Sequence, residues 1–266
     1  MPAIKTTMDA FKLLDKSNCR ACNEKTCLAF AAAVFQGKKP LSDCPKLDKD
    51  VLEAYGGDIE KPRTMADEQE EALEALKQMV GNTDLASAAE RTGGRYTGDR
   101  LTLKVFGKDF SVDKNGRLYS DIHINPWVAA PLLNYILNCS GIPVKGEWVP
   151  FRELENGRAM HGLFNQRCEK PLKKVADAYP QLFEDLMDIF NGKAVDSHQD
   201  ADIALSLYPL PKVPMLICYW QPEDGIESGL QLFFDVTAEQ NCGIEGIYAL
   251  GTGLVQMFEK LAQRHG

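Results

Sequence analysis

Four cysteines near the start of the chain, Cys19, Cys22, Cys27 and Cys44, are spaced C-x2-C-x4-C-x16-C, and Pro45 follows the last. This spacing suits a cubane iron–sulfur cluster, because four thiolates must converge on one small inorganic core. The first three come from one tight loop, and the fourth has to return from the far end of a helix. The intervening residues supply that helix. Thr26-Cys27-Leu28-Ala29-Phe30-Ala31-Ala32-Ala33-Val34-Phe35 is rich in alanine and has no breaker. Thr26 can cap its start and Gly37 its end, and Pro40 prevents it from continuing. Cys27 then sits in the first turn, where the positive end of the helix dipole favours a thiolate. Two other chemistries stay open. Zinc also takes four thiolates, but its structural sites usually offer two short Cys-x2-Cys knuckles, against one here. Disulfides need an oxidising compartment, and Met1-Pro2-Ala3-Ile4-Lys5 begins no apolar signal segment.

The same residues carry a family resemblance. The stretch Cys19-Arg20-Ala21-Cys22-Asn23-Glu24-Lys25-Thr26-Cys27-Leu28-Ala29-Phe30-Ala31, closing at Cys44-Pro45, resembles the small iron–sulfur domain of the corrinoid iron–sulfur protein's large subunit. A similar domain occurs in the B subunit of the Rnf electron-transfer complex. The resemblance implies one [4Fe-4S] cluster held by Cys19, Cys22, Cys27 and Cys44. Asn23 stands where those domains usually have glycine after the second cysteine, and asparagine tolerates a left-handed backbone better than most residues.

The elements that must position these thiols belong to a chain of 266 residues, a length that fits one to two domains. An apolar content of 44% is ample for a core. No apolar run approaches the length of a membrane span, so no membrane insertion is expected. The net charge of −8 argues against a nucleic-acid binder or a ligand of anionic membranes. Residues 1–64 carry 11 basic and 9 acidic side chains, a net of +2; the other 19 basic and 29 acidic give −10. Such a split could serve a docking partner, although solvated surface explains it as readily. A cytoplasmic setting is expected.

The pattern predicts a cluster domain over residues 1–62, with a short helix around Thr7–Asp15 before the loop and Pro45–Tyr55 packing back. Pro62-Arg63-Thr64 reads as a linker into a second domain, 65–266. That domain opens with amphipathic helices at Asp67–Val80 and Leu85–Arg91. The period then changes to two, giving strands at Arg100–Phe106, Asp109–Asp113 and Arg117–Ser120 with turns at Gly107-Lys108 and Lys114-Asn115-Gly116. Trp127–Asn138 reads as an apolar helix and Glu147–Phe151 as a short strand. Further helices are expected at Ala159–Asn165, Pro171–Tyr179 and Gln181–Phe190, and strands at Ile203–Tyr208, Met215–Gln221 and Leu230–Asp235. A last helix, Ile244–Gln263, carries Ile247, Leu250, Leu254, Met257 and Leu261 on one face. The order is mixed, not a regular βαβ alternation, so the fold class is α+β with a largely antiparallel sheet.

Outside the four cysteines the chemistry is sparse. Leu210-Pro211-Lys212-Val213-Pro214-Met215, Phe234-Asp235-Val236-Thr237-Ala238 and Gly146–Leu154 resemble a domain of unknown function from anaerobic bacteria and archaea, where it often follows a cubane-cluster domain. The resemblance covers most of residues 80–263 and implies no activity. Gly93-Gly94 and Gly251-Thr252-Gly253 lack a full phosphate-binding pattern; the latter pair suits close packing within the last helix. Cys139 and Cys218 read as buried packing. Cys242 and Cys168 leave a functional role open, Cys242 because a thiolate could be stabilised near a helix start. No pair among these four cysteines has metal-ligand spacing; His123 and His161 read as core or loop residues, His198 lies in a polar stretch and His265 near the last residue, and a histidine paired with Cys242 or Cys168 stays open. Trp127, Trp148 and Trp220 read as core or edge-of-core aromatics.

Three functions are compatible with this reading. The first is a one-cluster electron-transfer or redox accessory protein, its partner a redox protein or a cofactor; a corrinoid is suggested only by the resemblance. The second is an enzyme with a site between the cluster and the α+β domain. The third is a binding module with a purely structural cluster.

Overall fold

The computed structural model describes residues 4, 6–55, 65–121, 124–179, 181–196 and 198–265. Gly56-Gly57, the expected linker at Pro62-Arg63-Thr64, and His123 lie outside the described residues. The chain divides into two compact units, Met1–Glu70 and Glu71–Gly266.

In the first unit, α1 (Thr7–Lys12), α2 (Cys27–Phe35) and α3 (Lys49–Tyr55) form the regular elements. Thr26 caps α2 as expected, its hydroxyl accepting from the Ala29 N–H at 3.1 Å. Gly37 takes φ +68° just past the helix end, the left-handed turn that glycine allows. Pro40 precedes a 3₁₀ turn, Leu41–Asp43, that delivers Cys44. The α1 helix stops three residues short of the expected Asp15, because the chain turns into a left-handed residue at Lys16. Ile4, Ala10, Leu14, Phe30, Ala31, Val34 and Leu41 make a small core that also contains Cys27 and Cys44.

The second unit is α+β, and its sheets are antiparallel. The helix α4 (Met65–Gly81) begins in the last residues of the first unit and runs into the second, and α5 (Leu85–Thr92) is capped by Asp84, whose carboxylate accepts from the Ala86 and Ser87 N–H groups. A four-stranded meander follows: β1 (Arg95–Thr97), β2 (Arg100–Val105), β3 (Lys108–Asp113) and β4 (Leu118–Ser120). Its buried positions alternate along β2, with Leu101, Leu103 and Val105 inside. After α6 (Pro126–Asn138) come β5 (Trp148–Pro150), α7 (Gly157–Phe164), α8 (Lys170–Ala178) and α9 (Leu182–Phe190). Then β6 (Lys193–Ala194), β7 (Ile203–Leu210), β8 (Val213–Trp220) and β9 (Gly229–Asp235) complete a five-stranded sheet in the order β5-β9-β8-β7-β6. One face of β8 packs into the main core through Val213, Met215 and Ile217. The other packs Leu216 and Cys218 with Phe233 and the half-buried Trp148 and Trp220.

Three features depart from the expected elements. The helices expected at Ala159–Asn165 and Pro171–Tyr179 are one continuous run, joined by a π-helical turn at Asn165–Glu169. Pro171 has no N–H to give to the α-helical ladder, and a wider turn absorbs that loss. The wider turn also turns Glu169 inward, where its carboxylate accepts from the Leu232 N–H at 3.2 Å and from Asn165 Nδ2 at 2.8 Å. The last helix, α10 (Ala238–His265), starts before Ile244 and breaks at Gly243, whose φ of 71° and ψ of 154° suit only glycine. Within it, a Cβ at Gly251 would stand 2.9 Å from the Phe164 ring and 3.1 Å from Cys168 Sγ, so this glycine serves close packing. Finally, β1 and β6 carry no apolar alternation: every residue of both is exposed.

Asp235 ties the second sheet to the loop before β5. It is fully buried and accepts from the Thr237 hydroxyl at 2.5 Å, the Gly146 N–H at 2.6 Å and the Lys145 N–H at 3.1 Å. Burial alone would raise its pKa; the donors of Thr237, Gly146 and Lys145 outweigh that and hold it below the ordinary carboxylate value. A lowered folded pKa adds stability above the unfolded value of about 4, and this stability is lost as pH falls through the folded pKa. Asp235→Ala, which orphans several buried donors, is expected to destabilise the second unit by about 3 kcal/mol at neutral pH. Asp235→Asn should flatten the loss of stability between about pH 5 and pH 2. Urea titration followed by tryptophan fluorescence checks both, since Trp127, Trp148 and Trp220 all lie in this unit. A change under about 0.5 kcal/mol for the alanine variant would remove Asp235 from this role.

Candidate metal centre

The four cysteines of the N-terminal motif hang from a loop, a helix start and a turn. Cys27 opens α2, so its own N–H lies in the first turn and has no partner within the helix. Asn18 supplies one: its Oδ1 accepts from the Cys27 N–H at 2.7 Å, and the Asn18 N–H donates to Cys27 Sγ at 3.3 Å. Cys44 ends the 3₁₀ turn and is buried, as is Cys27; Cys22 is half-buried and Cys19 exposed. Cys22 packs against the small core that contains Cys27 and Cys44. The loop itself is unusual. Lys16, Asn18, Arg20 and Asn23 all take positive φ, between 51° and 62°. Non-glycine residues in this conformation carry strain that the surroundings must hold, and they gather at functional segments. Asn23 adopts the left-handed backbone that a glycine would otherwise supply.

Two lysines brace this loop. Lys39 Nζ donates to the Cys22 carbonyl at 2.7 Å and pairs with Glu24 at 3.0 Å. Lys46 Nζ pairs with Asp15 at 3.2 Å and donates to the Ser17 hydroxyl at 3.0 Å. Asp15 in turn accepts from the Ser17 N–H and hydroxyl, which hold its pKa below the usual value. Burial pushes the Cys44 thiol up, and Cys22, Asp15 and Cys19 push it further. The Lys46 pKa is raised, first by its hydrogen bond to Asp15 and, more weakly, by Cys19 and Cys27. Among the described residues, no three or more histidine, cysteine, aspartate or glutamate side chains are gathered tightly enough to hold a metal ion. The donor set nonetheless fits a thiophilic group: two thiols buried in one small core, a third packed against it, a fourth exposed, and cations close by.

The other four cysteines are of a different kind. Burial pushes Cys168 up to about 12 and Cys218 to about 11. Cys242 rises to about 12 through burial and then Cys139. Cys242 does not start a helix; it ends the short first segment of α10, ahead of the break at Gly243. It lines a cleft of about 500 Å³ with Asn134, Asn156 and Glu239. Its Sγ lies beside the first turn of the segment that follows, 2.6 Å from where a Cβ on Gly246 would stand, while burial works against a thiolate. His161 and His198 are half-buried, each with one ring nitrogen enclosed and unbonded, Nδ1 and Nε2 respectively. His198 packs edge-on against Phe233 at 4.7 Å. Asn18 was not legible as a functional residue; only its polar character nine residues before Cys27 hinted at it.

Residues 84–257 match the family model described as domain of unknown function (DUF3786). The chain belongs to this family. A second model, described as "Putative Fe-S cluster", matches residues 14–46, a span that includes all four cysteines of the motif. Curated relatives match only the N-terminal part. They include the acetyl-CoA decarbonylase/synthase complex subunit gamma of Methanothermobacter thermautotrophicus, 47% identical over 45 residues, 17% of this chain and 10% of the relative. The subunit gamma of Methanopyrus kandleri is 46% identical over 48 residues, 18% of this chain and 10% of the relative. That of Methanocaldococcus jannaschii is 36% identical over 53 residues, 20% of this chain and 11% of the relative. The chain thus spans about a tenth of the length of these relatives. No solved structure matches it significantly. Among the described residues, no helix is long and apolar enough to cross a membrane.

The two classes of cysteine should separate in a loading assay. Cys22→Ala or Cys27→Ala is expected to remove most bound iron and sulfide from anaerobically purified protein. Cys218→Ala should leave the metal content unchanged. Equal loss from both classes would refute this division of the thiols.

Proposed function

We propose that this protein binds one [4Fe-4S] cluster through Cys19, Cys22, Cys27 and Cys44 and works as an electron-transfer or redox accessory protein. The observation that carries this reading is the coincidence of the four-cysteine spacing with the match to the Fe-S cluster model over 14–46. When bound, such a cluster supplies a one-electron couple. The chain's own contribution is to hold the thiolates, keep cations near their charge and leave one side open. Cys27 and Cys44 are buried while Cys19 is exposed, so a partner can approach from the Cys19 side. Lys39 and Lys46 lie beside the loop and offset the negative charge of a thiolate cluster.

The partner is proposed to be a redox protein or a cofactor bound by the larger domain. The curated relatives are named as subunits of a complex, which supports a protein partner. A link to corrinoid metabolism rests on the cluster segment alone, and nothing in 84–257 is assigned to a corrinoid. The net charges of +2 and −10 on either side of residue 64 favour electrostatic docking.

Two measurements test this reading. Anaerobically purified protein should contain about four iron and four sulfide per chain, and an electron paramagnetic resonance signal should appear on reduction. Stoichiometric zinc without sulfide would sink the cluster. In stopped-flow bleaching of the visible absorption, the rate of reduction by a protein donor should fall as salt rises, because screening shortens to about 8 Å at physiological strength. A rate independent of salt would reject electrostatic docking. A cluster that no donor reduces and no oxidant changes would leave a structural role.

The larger domain, 65–266, is proposed to fold without iron, because its sheets and helices bury a core of their own. A chain of residues 65–266 alone should melt cooperatively by circular dichroism. A fragment without a cooperative melt would move the boundary.

A further inference from the structure

The geometry points to Asn18 as a positioning residue for the Cys27 thiolate, and through it a determinant of the cluster's reduction potential. This inference rests on the reading of Cys27 as a cluster ligand. Asn18 meets Cys27 twice, once from each of its polar halves. Its side-chain Oδ1 accepts from the Cys27 N–H at 2.7 Å, and its backbone N–H donates to Cys27 Sγ at 3.3 Å. The first bond fixes the backbone of the cysteine. The second directs a dipole at its sulfur.

Neither bond is replaced by the helix cap. The Thr26 hydroxyl is committed to the Ala29 N–H, so the Cys27 N–H depends on Asn18. Asn18 makes this double contact with a φ of +51°. Asparagine is among the few residues that combine a left-handed backbone with a short acceptor. The segment on either side is held independently: Asp15 and Lys46 fasten Ser17, and the Asn23 N–H bonds the Arg20 carbonyl at 3.0 Å. Asn18 therefore lies between two fastened points.

The chemistry follows from the sign of the charge. A hydrogen bond to a ligating sulfur stabilises the more negative, reduced cluster more than the oxidised one, and so raises the potential. Partners that orient a ligand also slow its loss. Asn18→Gly keeps the left-handed backbone but removes the acceptor, leaving the N–H free to swing off the sulfur. Asn18→Asp keeps an acceptor in the same place.

The test uses the full chain, purified without oxygen. The wild type is first assayed for iron and sulfide. Asn18→Gly and Asn18→Asp are then compared with it by redox titration and by iron release to a chelator. Asn18→Gly is expected to shift the midpoint potential downward and to release iron at least about tenfold faster. Asn18→Asp should restore the slow release. A glycine variant that loads no cluster, beside an aspartate variant that loads fully, supports the same role. Glycine and aspartate variants that behave alike, or a glycine variant equal to wild type, overturn the role of Asn18 and leave the cluster reading standing. A wild type without iron and sulfide overturns both.

Discussion

Sulfur donors that carry negative charge repel one another, and a small unit has little core with which to oppose that repulsion. Under the proposed cluster binding, the first unit of this protein is organised around this constraint. Its buried side chains are few, and two of them are the cysteines themselves. Compensation comes from positive ends and positive charges placed nearby. Cys27 sits at the positive end of α2, Lys39 grips the loop at Cys22, and Lys46 bridges Asp15 and Ser17. Exposed ion pairs of this kind add little stability on their own. Their value here lies in orientation, since each one fastens a loop residue beside a thiol.

The loop shows the same logic in its backbone. Four non-glycine residues between Lys16 and Asn23 accept left-handed conformations. Each costs free energy relative to an extended residue, and the segment offsets this with short-range hydrogen bonds. Of the N–H groups in this segment, that of Asn18 is bonded to Cys27 Sγ, while those of Ser17 and Asn23 go to Asp15 and to the Arg20 carbonyl.

Much of this arrangement was legible in the sequence, and the rest was hidden for identifiable reasons. Local chemistry read correctly: Thr26 capped α2, Gly37 closed it, and Pro40 kept the next turn separate. The alternation in β2 and the α+β character followed from periodicity. The π-helical turn did not, because Pro171 reads equally as the start of a separate helix, and the Leu232 N–H that Glu169 meets there lies over sixty residues away. The exposed strands β1 and β6 were missed because they have no apolar face to repeat. The Asn18–Cys27 contact was invisible for a similar reason. It depends on a backbone angle, and a polar residue in a polar loop gives no sign of it.

The eight cysteines differ in burial and in what surrounds them. In the second unit, burial raises the Cys168 and Cys242 thiols to about 12 and Cys218 to about 11. At neutral pH such thiols stay protonated, and a protonated thiol is a poor ligand and a poor nucleophile. Burial in the DUF3786 domain thus disfavours the thiolates of Cys168, Cys218 and Cys242. In the first unit the ligand candidates differ in exposure, from the open Cys19 to the buried Cys27 and Cys44. That gradient suits the proposed role: enclosed sulfur on one side would retain a metal, and accessible sulfur on the other would meet a partner. Cys27 and Cys44 are themselves core residues of the first unit, so it is the motif and its polar surroundings, not burial alone, that set the two groups apart.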